Sequence, residues 1–279
     1  MRASVGRQWS WLPAFAICFF VATIVLIPLI ITFVGGLRSN GDLLNAPFSI
    51  PTTLHWENFG PIVAPGAPFW TELFNSLLTL VGTLALLLFA ASLAAFVLAR
   101  ISFPGRELVF NLFLFGLLFP LTVAVLPLYI TVRSLGLLDS LWGVILPQVA
   151  FSLPTTILIL RNFFRAVPQE LEDAAIIDGA STLGFFWRVL LPLSRPALAV
   201  VSMLAAVASW NNFLLPLLVL TEDTHWTLPL GALQFQQQYG TDWASVLAFV
   251  SLAMIPAILI YLVAERQIVA GLTAGAVKG

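Results

Sequence analysis

Charge is what this sequence has least of: 9% of its 279 residues are Asp, Glu, Lys or Arg, against 60% hydrophobic. A soluble domain of that makeup would have no surface to present to water, so soluble globular folds are excluded first. Lysine occurs once, at Lys278, which removes any GxxxxGK[ST] loop for cradling phosphates. HExxH and GxSxG are absent as well, so metalloprotease and serine-hydrolase chemistry have no residues to stand on. Cys18 is the only cysteine and lies in an apolar run, which excludes a disulfide framework or thiolate metal site within the chain. His55 has no second His, Cys or paired carboxylate at metal spacing, so no metal site is expected.

What is present is long apolar runs. A helix needs roughly 20 apolar residues to cross about 30 Å of hydrocarbon. Six stretches qualify: Leu12–Val34, Leu73–Leu98, Leu108–Ile130, Leu141–Leu160, Ala197–Leu220 and Ala244–Val263. Trp9 and Trp11, Trp70 and Trp243 stand before three of them and Trp142 at the start of a fourth, at interface depth. The first is too long for a signal-peptide core and reads as a retained anchor. The expected fold class is therefore an all-α membrane protein with six transmembrane helices. Basic residues orient it. With the N-terminus inside, Arg2, Arg7, Arg100, Arg106, Arg161, Arg165, Arg188, Arg195, Arg266 and Lys278 are cytoplasmic, and only Arg38 and Arg133 are outside. Both termini are then cytoplasmic. The net charge of −1 gives no reason to expect a nucleic-acid partner.

Three features inside this frame carry chemistry. Prolines sit seven residues apart in spans three (Pro120, Pro127) and four (Pro147, Pro154). Each frees a backbone carbonyl that lipid cannot satisfy, with Thr122, Gln148 and Ser152 as candidate partners. Kinked helices of this kind suit a moving or water-filled pathway. Span five carries Ser209, Trp210, Asn211 and Asn212 a little past the midplane, facing either another helix or a ligand. No Asp, Glu, Lys, Arg or His falls inside the six stretches as drawn, so an ion-coupled carrier lacks its usual titratable group and the energy source is expected outside this chain. Alanines at 90, 94 and 91, 95 would admit a close helix neighbour.

The third feature is 168–192, PQELEDAAIIDGASTLGFFWRVLLP, the densest charge between two spans. Pro168 suits a first helical turn, and Glu170, Glu172 and Asp173 complement its positive end. Gly179 provides a left-handed stop, Ser181 caps a second short helix through Trp187 and Leu190, and Pro192 ends it. The expected product is a cytoplasmic helical hairpin with its carboxylates and alanines exposed. Acidic groups repel anionic lipid, so a protein partner accounts for them better than a membrane surface.

Asp173, Ala174, Ala175, Asp178, Gly179, Ala180 and, further on, Leu191 and Pro192 occupy the places of the cytoplasmic coupling (EAA) motif of importer-type ABC transporter permeases, which this stretch resembles. Asp173 stands where that family usually has Glu, with Glu172 before it. FNSL, LAR with FPGR, WNNF, QQQYGTDW and GLTAGAVKG extend the resemblance to carbohydrate-uptake permeases of the maltose-transporter type, over roughly 56–279. Asn212 departs from the acidic residue usual there. The resemblance implies a type I importer permease fold, with residues 1–69 as anchor helix and external loop and 70–279 as the permease core. It implies an ATPase subunit dimer that receives the hairpin and holds ATP and Mg, no cofactor in this chain, a second similar permease, and an extracytoplasmic sugar-binding protein. The outer loop around Gln236, Gln237, Gln238 and Tyr239 would contact the binding protein. The tail from 264 to 279, with Gly271, Leu272, Thr273, Gly275 and Lys278, would reach the ATPase. The pathway would draw on Pro120, Thr122, Gln148, Ser209, Trp210, Asn211 and Asn212. A self-contained carrier or channel, and a purely structural membrane subunit, remain as the other classes.

Overall fold

The computed structural model describes residues 12–47, 49–237 and 240–276. The described backbone is helical apart from loops and one two-residue antiparallel ladder, in which Gln236 faces Thr241 and Gln237 faces Gly240. The longer helices are α1 (Leu12–Gly36), α2 (Pro68–Arg100), α3 (Arg106–Phe115), α4 (Leu121–Ser134), α5 (Leu141–Ala166), α6 (Glu170–Ile177), α7 (Thr182–Phe185, prolonged to Leu193), α8 (Arg195–Trp210), α9 (Leu214–Val219) and α10 (Trp243–Ala276). Four of them, α1, α2, α5 and α10, are each long and apolar enough to cross a membrane. The count reaches six when two bent pairs are each taken as one span.

Those bent pairs correct the reading of spans three and five. The third span is no kinked rod: it breaks at Phe119–Pro120, and its halves lie at 103°. Pro120 disfavours helical backbone in the residue before it, and Phe119 is extended. Pro127, Pro147 and Pro154, by contrast, lie inside uninterrupted helices. The fifth span stops at Trp210 instead of running to Leu220. Asn211 turns back, its Nδ2 donating to Val207 O at 3.0 Å, and Asn212 Oδ1 accepts from Leu215 N at 3.1 Å to start α9. Asn side chains compete with the backbone ladder in this way, and two in a row end the helix. At the other extremity, the residues expected to form a tail after Val263 continue α10 to position 276.

The chain forms two compact units. The first holds residues 1–67 and 232–255. Its organiser is Arg38, only 2% exposed, whose guanidinium donates to Pro47 O, Asp42 O, Ala46 O and Ser49 Oγ. Asn58 Nδ2 donates to Gly36 O and Arg38 O, fastening the same turn. The segment after α1 is thus ordered by one buried cation reading loop carbonyls.

The second unit holds 68–231 and 256–279. Its centre is the packing of α2 on α5, where Leu87, Ala91, Phe96, Ile157, Leu160 and Phe164 are all but inaccessible. Of the two alanine stripes in α2, Ala91 with Ala95 is the fully buried one, and it allows close approach. α5 also approaches the turn before it closely: a Cβ on Gly143 would collide with Leu137 O. Asp139, the only described non-glycine residue at positive φ (56°), clasps the segment after α9. Its Oδ1 accepts from Thr221 N and Glu222 N, each at 2.9 Å, and Oδ2 lies 3.1 Å from His225 Nδ1.

The Glu222 amide, with that of Thr221 and the His225 ring, holds the Asp139 carboxyl below its ordinary range despite some desolvation. A carboxyl depressed in the folded state stabilises it at pH values above the ordinary aspartate value of about 3.9, and that contribution disappears as pH falls through the depressed value. Asp139→Asn is therefore expected to lower the unfolding temperature of the detergent-solubilised chain at neutral pH. The gap to the parent chain should close as the medium is acidified below about pH 4.

Candidate coupling hairpin and polar pathway

The hairpin is built as its residues dictate, up to its last turn. α6 begins at Glu170, two residues after Pro168, which therefore precedes the helix instead of opening it, with Gln169 as the N-cap and Glu170, Glu172 and Asp173 in the first turn. It ends in a Schellman arrangement: Gly179 has φ +83°, Gly179 N donates to Ile176 O, and Ala180 N donates to Ala175 O. Ser181 Oγ then accepts from Gly184 N at 3.1 Å to cap α7. Pro192 does not stop this helix. Residues Phe186–Leu190 widen into a π turn, in which Leu191 N reaches Phe186 O, so the ring of Pro192 is carried without a clash and the helix continues to Leu193. Its real end is Ser194, where the chain bends by 75° into α8.

The two faces of the hairpin differ. Phe185, Phe186 and Leu190 have no exposed surface, and the Phe186 ring packs 4.8 Å from that of Phe96 on α2. Opposite them, Ile176 (55% exposed), Ile177 (84%), Leu183 (58%) and Trp187 (51%) are open, together with Asp173, Ala174 and Asp178. An apolar patch edged by carboxylates is the sort of surface that marks a protein interface. One expected member is missing from it. Glu172 points inward, its side chain 14% exposed, with Oε2 3.4 Å from Arg100 Nη1. A helix turn that puts Asp173 outward turns its neighbour toward the body of the protein.

Arg100 also donates through Nη2 to Phe164 O and Val167 O, at the end of α5. A second buried arginine returns the link. Arg161, one turn before the end of α5, donates from Nε to Leu98 O on α2 and from Nη2 to Glu107 on α3, with its guanidinium 3.8 Å from the Phe110 ring centre. The sequence marks these arginines only as topology signals. LAR followed by FPGR, and LRNFFR at the end of span four, supply cations next to helix C-termini, and that was the available clue to their bonding.

The residues expected to line a pathway do not converge on one site. Pro120 and Thr122 are exposed at the α3–α4 break. Gln148 is buried between helices, where its Oε1 accepts from Thr83 Oγ1 at 3.2 Å, so its partner is another side chain and not a proline-freed carbonyl. Trp210 is buried, Ser209 and Asn212 are half-buried, and Asn211 is exposed at the α8–α9 break. A cleft of about 170 Å³ opens instead between α5 and α8, where Phe151, Ser152 and Thr155 face Leu204 and Ala205. Its hydroxyls come from the SLPTT run, in which the sequence pointed to Ser152 as a partner for a proline-freed carbonyl and gave Thr155 no role. Gln236 and Gln237 belong to the short ladder, while Gln238, Tyr239 and Lys278 fall outside the described residues. Gly271, Leu272, Thr273 and Gly275 lie in α10.

Ionisable groups are also closer to the spans than expected. Because Pro68 opens α2, five residues ahead of the apolar run, Glu72 lies within the helix and is 2% exposed against Gly231, its Oε2 without a hydrogen-bond partner. Beside it, Asn75 donates to Thr224 O and Trp226 O, and Ser76 Oγ accepts from Leu228 N. The face of α2 that carries Glu72, Asn75 and Ser76 thereby binds the 224–231 segment. Asp139, Glu222 and His225 offer ligand-type atoms within 4.8 Å of one another, a grouping from separate loops that no sequence spacing displays. The hydrogen bonds of the clasp occupy both Asp139 oxygens.

Residues 87–271 match the family described as "Binding-protein-dependent transport system inner membrane component". The chain is 34% identical to a diacetylchitobiose uptake system permease protein of Streptomyces coelicolor, an alignment covering 98% of this chain and 90% of that one. It is 33% identical to an arabinooligosaccharides transport system permease protein of Halalkalibacterium halodurans, over the whole of both. Its fold is like that of a chain in the crystal structure of a bacterial ABC transporter that imports the acidic polysaccharide alginate. The TM-score is 0.79 at 23% identity, covering 95% of this chain and 98% of that one.

The arginine links set a stability expectation. Arg161→Met leaves Leu98 O buried without its donor and should destabilise the chain by about 1–3 kcal/mol, read as a lower unfolding temperature in detergent. Glu107→Gln, at a side chain 56% exposed, should cost less than about 1 kcal/mol.

Proposed function

Because the chain belongs to the family of binding-protein-dependent transport system inner membrane components, we propose that it is the membrane-spanning permease of an ATP-driven importer that takes up a sugar or oligosaccharide delivered by an extracytoplasmic binding protein. The observation that carries this reading is the hairpin: one face rooted in the α2–α5 core, the other an open apolar patch with carboxylates. Such an element suits reception of force from a partner, and the chain has no phosphate loop of its own. The partner is an ATPase dimer that binds ATP and Mg. A second permease completes the pathway, and hydrolysis does not occur in this polypeptide. The sugar class is supported by the relatives, whose cargoes are a chitin disaccharide and arabinose oligomers.

Mechanically, closure of the ATPase subunits moves the hairpin, and the helices rooted with it change which side of the membrane the pathway faces. The shift requires contacts that differ between the two states, since attachment alone moves no equilibrium. The excess of basic residues supports both termini and the hairpin lying in the cytoplasm, with the 221–243 segment outside to meet the binding protein. Ser152 and Thr155 in the α5–α8 cleft, and the helix break at Asn211 and Asn212, offer hydroxyls and amides of the kind that pair with sugar hydroxyls.

Three measurements test this reading. The tagged chain, purified in mild detergent from cells expressing its genomic neighbours, should retain an ATPase. A cysteine replacing Ile177, in a chain whose Cys18 is changed to Ala, should react with an impermeant thiol reagent only from the cytoplasmic side. Gly179→Val forces a β-branched residue to φ +83° and should abolish ATP-driven uptake by the assembled complex. Solute flux in liposomes holding this chain alone, without ATP, would overturn the proposal in favour of a self-contained carrier, for which the buried Glu72 would be the first group to examine.

A further inference from the structure

Three carboxylates occupy the first turn of α6, but they are not equivalent. Glu170 and Asp173 are exposed, whereas the Glu172 side chain is 14% exposed and meets an Arg100 side chain that is 6% exposed. Arg100 is the last residue of α2. Its planar fork holds Phe164 O at 2.7 Å and Val167 O, the orphan carbonyls where α5 ends, and Glu172 on its other arm. One guanidinium thus joins the end of α2, the end of α5 and the start of the hairpin.

Arg161 secures the same corner from the opposite helix, taking Leu98 O of α2. Each helix therefore lends an arginine to carbonyls at the end of the other. Two crossed links fix both spacing and rotation, which a single link would leave free to swivel. Below the corner the α2–α5 interface is close-packed through Phe96, Leu160 and Phe164, and packed interiors pass on displacement instead of absorbing it. The covalent route from α5 to α6 is the short, extended Val167–Pro168 stretch, whose torsions could take up a push. The non-covalent route through Arg100 has no such slack.

We propose that Arg100 and Glu172 form an internal strut, through which movement of the hairpin is passed to α2 and α5 as a rigid body, so that Glu172 is a positioning residue and not part of the surface that meets the ATPase. This rests on the importer reading and deepens it by dividing the acidic turn: Asp173 belongs to the docking face and Glu172 to the transmission. It also assigns a task to the arginine of LAR, separate from its effect on topology. Arg100 is placed to keep its hold on α5 in either state, while Glu172 decides whether the hairpin follows.

The test uses the assembled complex carrying Cys18→Ala, with spin labels at Leu171→Cys on α6 and Ile101→Cys just beyond α2, both exposed positions outside the hairpin's open apolar patch. Label separation is measured without nucleotide and with Mg-ATP plus vanadate, alongside retention of the ATPase on the tagged chain and ATP hydrolysed per solute moved. In the parent complex the separation should not change with nucleotide. Glu172→Gln should keep the ATPase bound, make the separation nucleotide-dependent, and raise the ATP used per solute about fivefold or more. Glu170→Gln, at an exposed neighbour, should match the parent in all three. Loss of the ATPase from Glu172→Gln would show a docking contact and overturn the strut, as would coupling and separation identical to the parent. Failure of the parent chain itself to retain any ATPase would instead overturn the importer reading, and the strut's task with it.

Discussion

A backbone carbonyl freed inside hydrocarbon has no water to bind, and in this chain side chains reach backbone carbonyls at several of the places where a helix ends or bends. Arginine guanidinia take the carbonyls at the α2 and α5 termini. Asparagine amides take those at Val207, Thr224 and Trp226. The Ser194 hydroxyl takes Leu190 O at the 75° bend, and Thr131 takes Pro127 O within α4. Several of the few polar residues of an otherwise apolar sequence are used at helix ends and bends, some of them on carbonyls that also accept from a backbone amide. Their scarcity explains why each can be given a task.

That arrangement divides the second unit into rigid and open parts. The α2–α5 interface is closed by dispersion and by crossed arginine links, and the inner face of the hairpin is sealed into it by Phe185, Phe186 and Leu190. The open parts are the hairpin's outer face, the cleft between α5 and α8, and the breaks at Pro120 and Asn211. A transporter needs both. Force has to be received on a surface that is free to bind and carried by an interior that does not yield.

Much of the candidate site was legible because it depends on local rules. The left-handed stop at Gly179 and the Ser181 cap follow from residue type and neighbours alone, and both stand as the sequence implies. Pro192 was misjudged since a π turn, which has no clear sequence mark, absorbed its missing donor. The exposure expected of Glu172 was misjudged for a different reason: on a single helical turn, which of two adjacent acids faces inward is decided by Arg100, 72 residues away. Span ends drawn from hydropathy missed Glu72, because a proline can begin a helix well before its apolar stretch. They also ran through Asn211 and Asn212, where two side chains that imitate backbone groups ended the helix.

What the sequence determined by itself was the solvent, the number of apolar segments, the family and the turn chemistry of the hairpin, since each is set by composition or by residues within a few positions of one another. Only the tertiary structure decided which carboxylate lies on the open face and which turns to the interior, and how the arginines pair. Tertiary structure alone also revealed that Asp139 clasps the segment after α9, and that the hydroxyls after Pro154 border a cleft. These are contacts between groups brought together by folding, and their energies depend on distance and burial, quantities that no order of residues states.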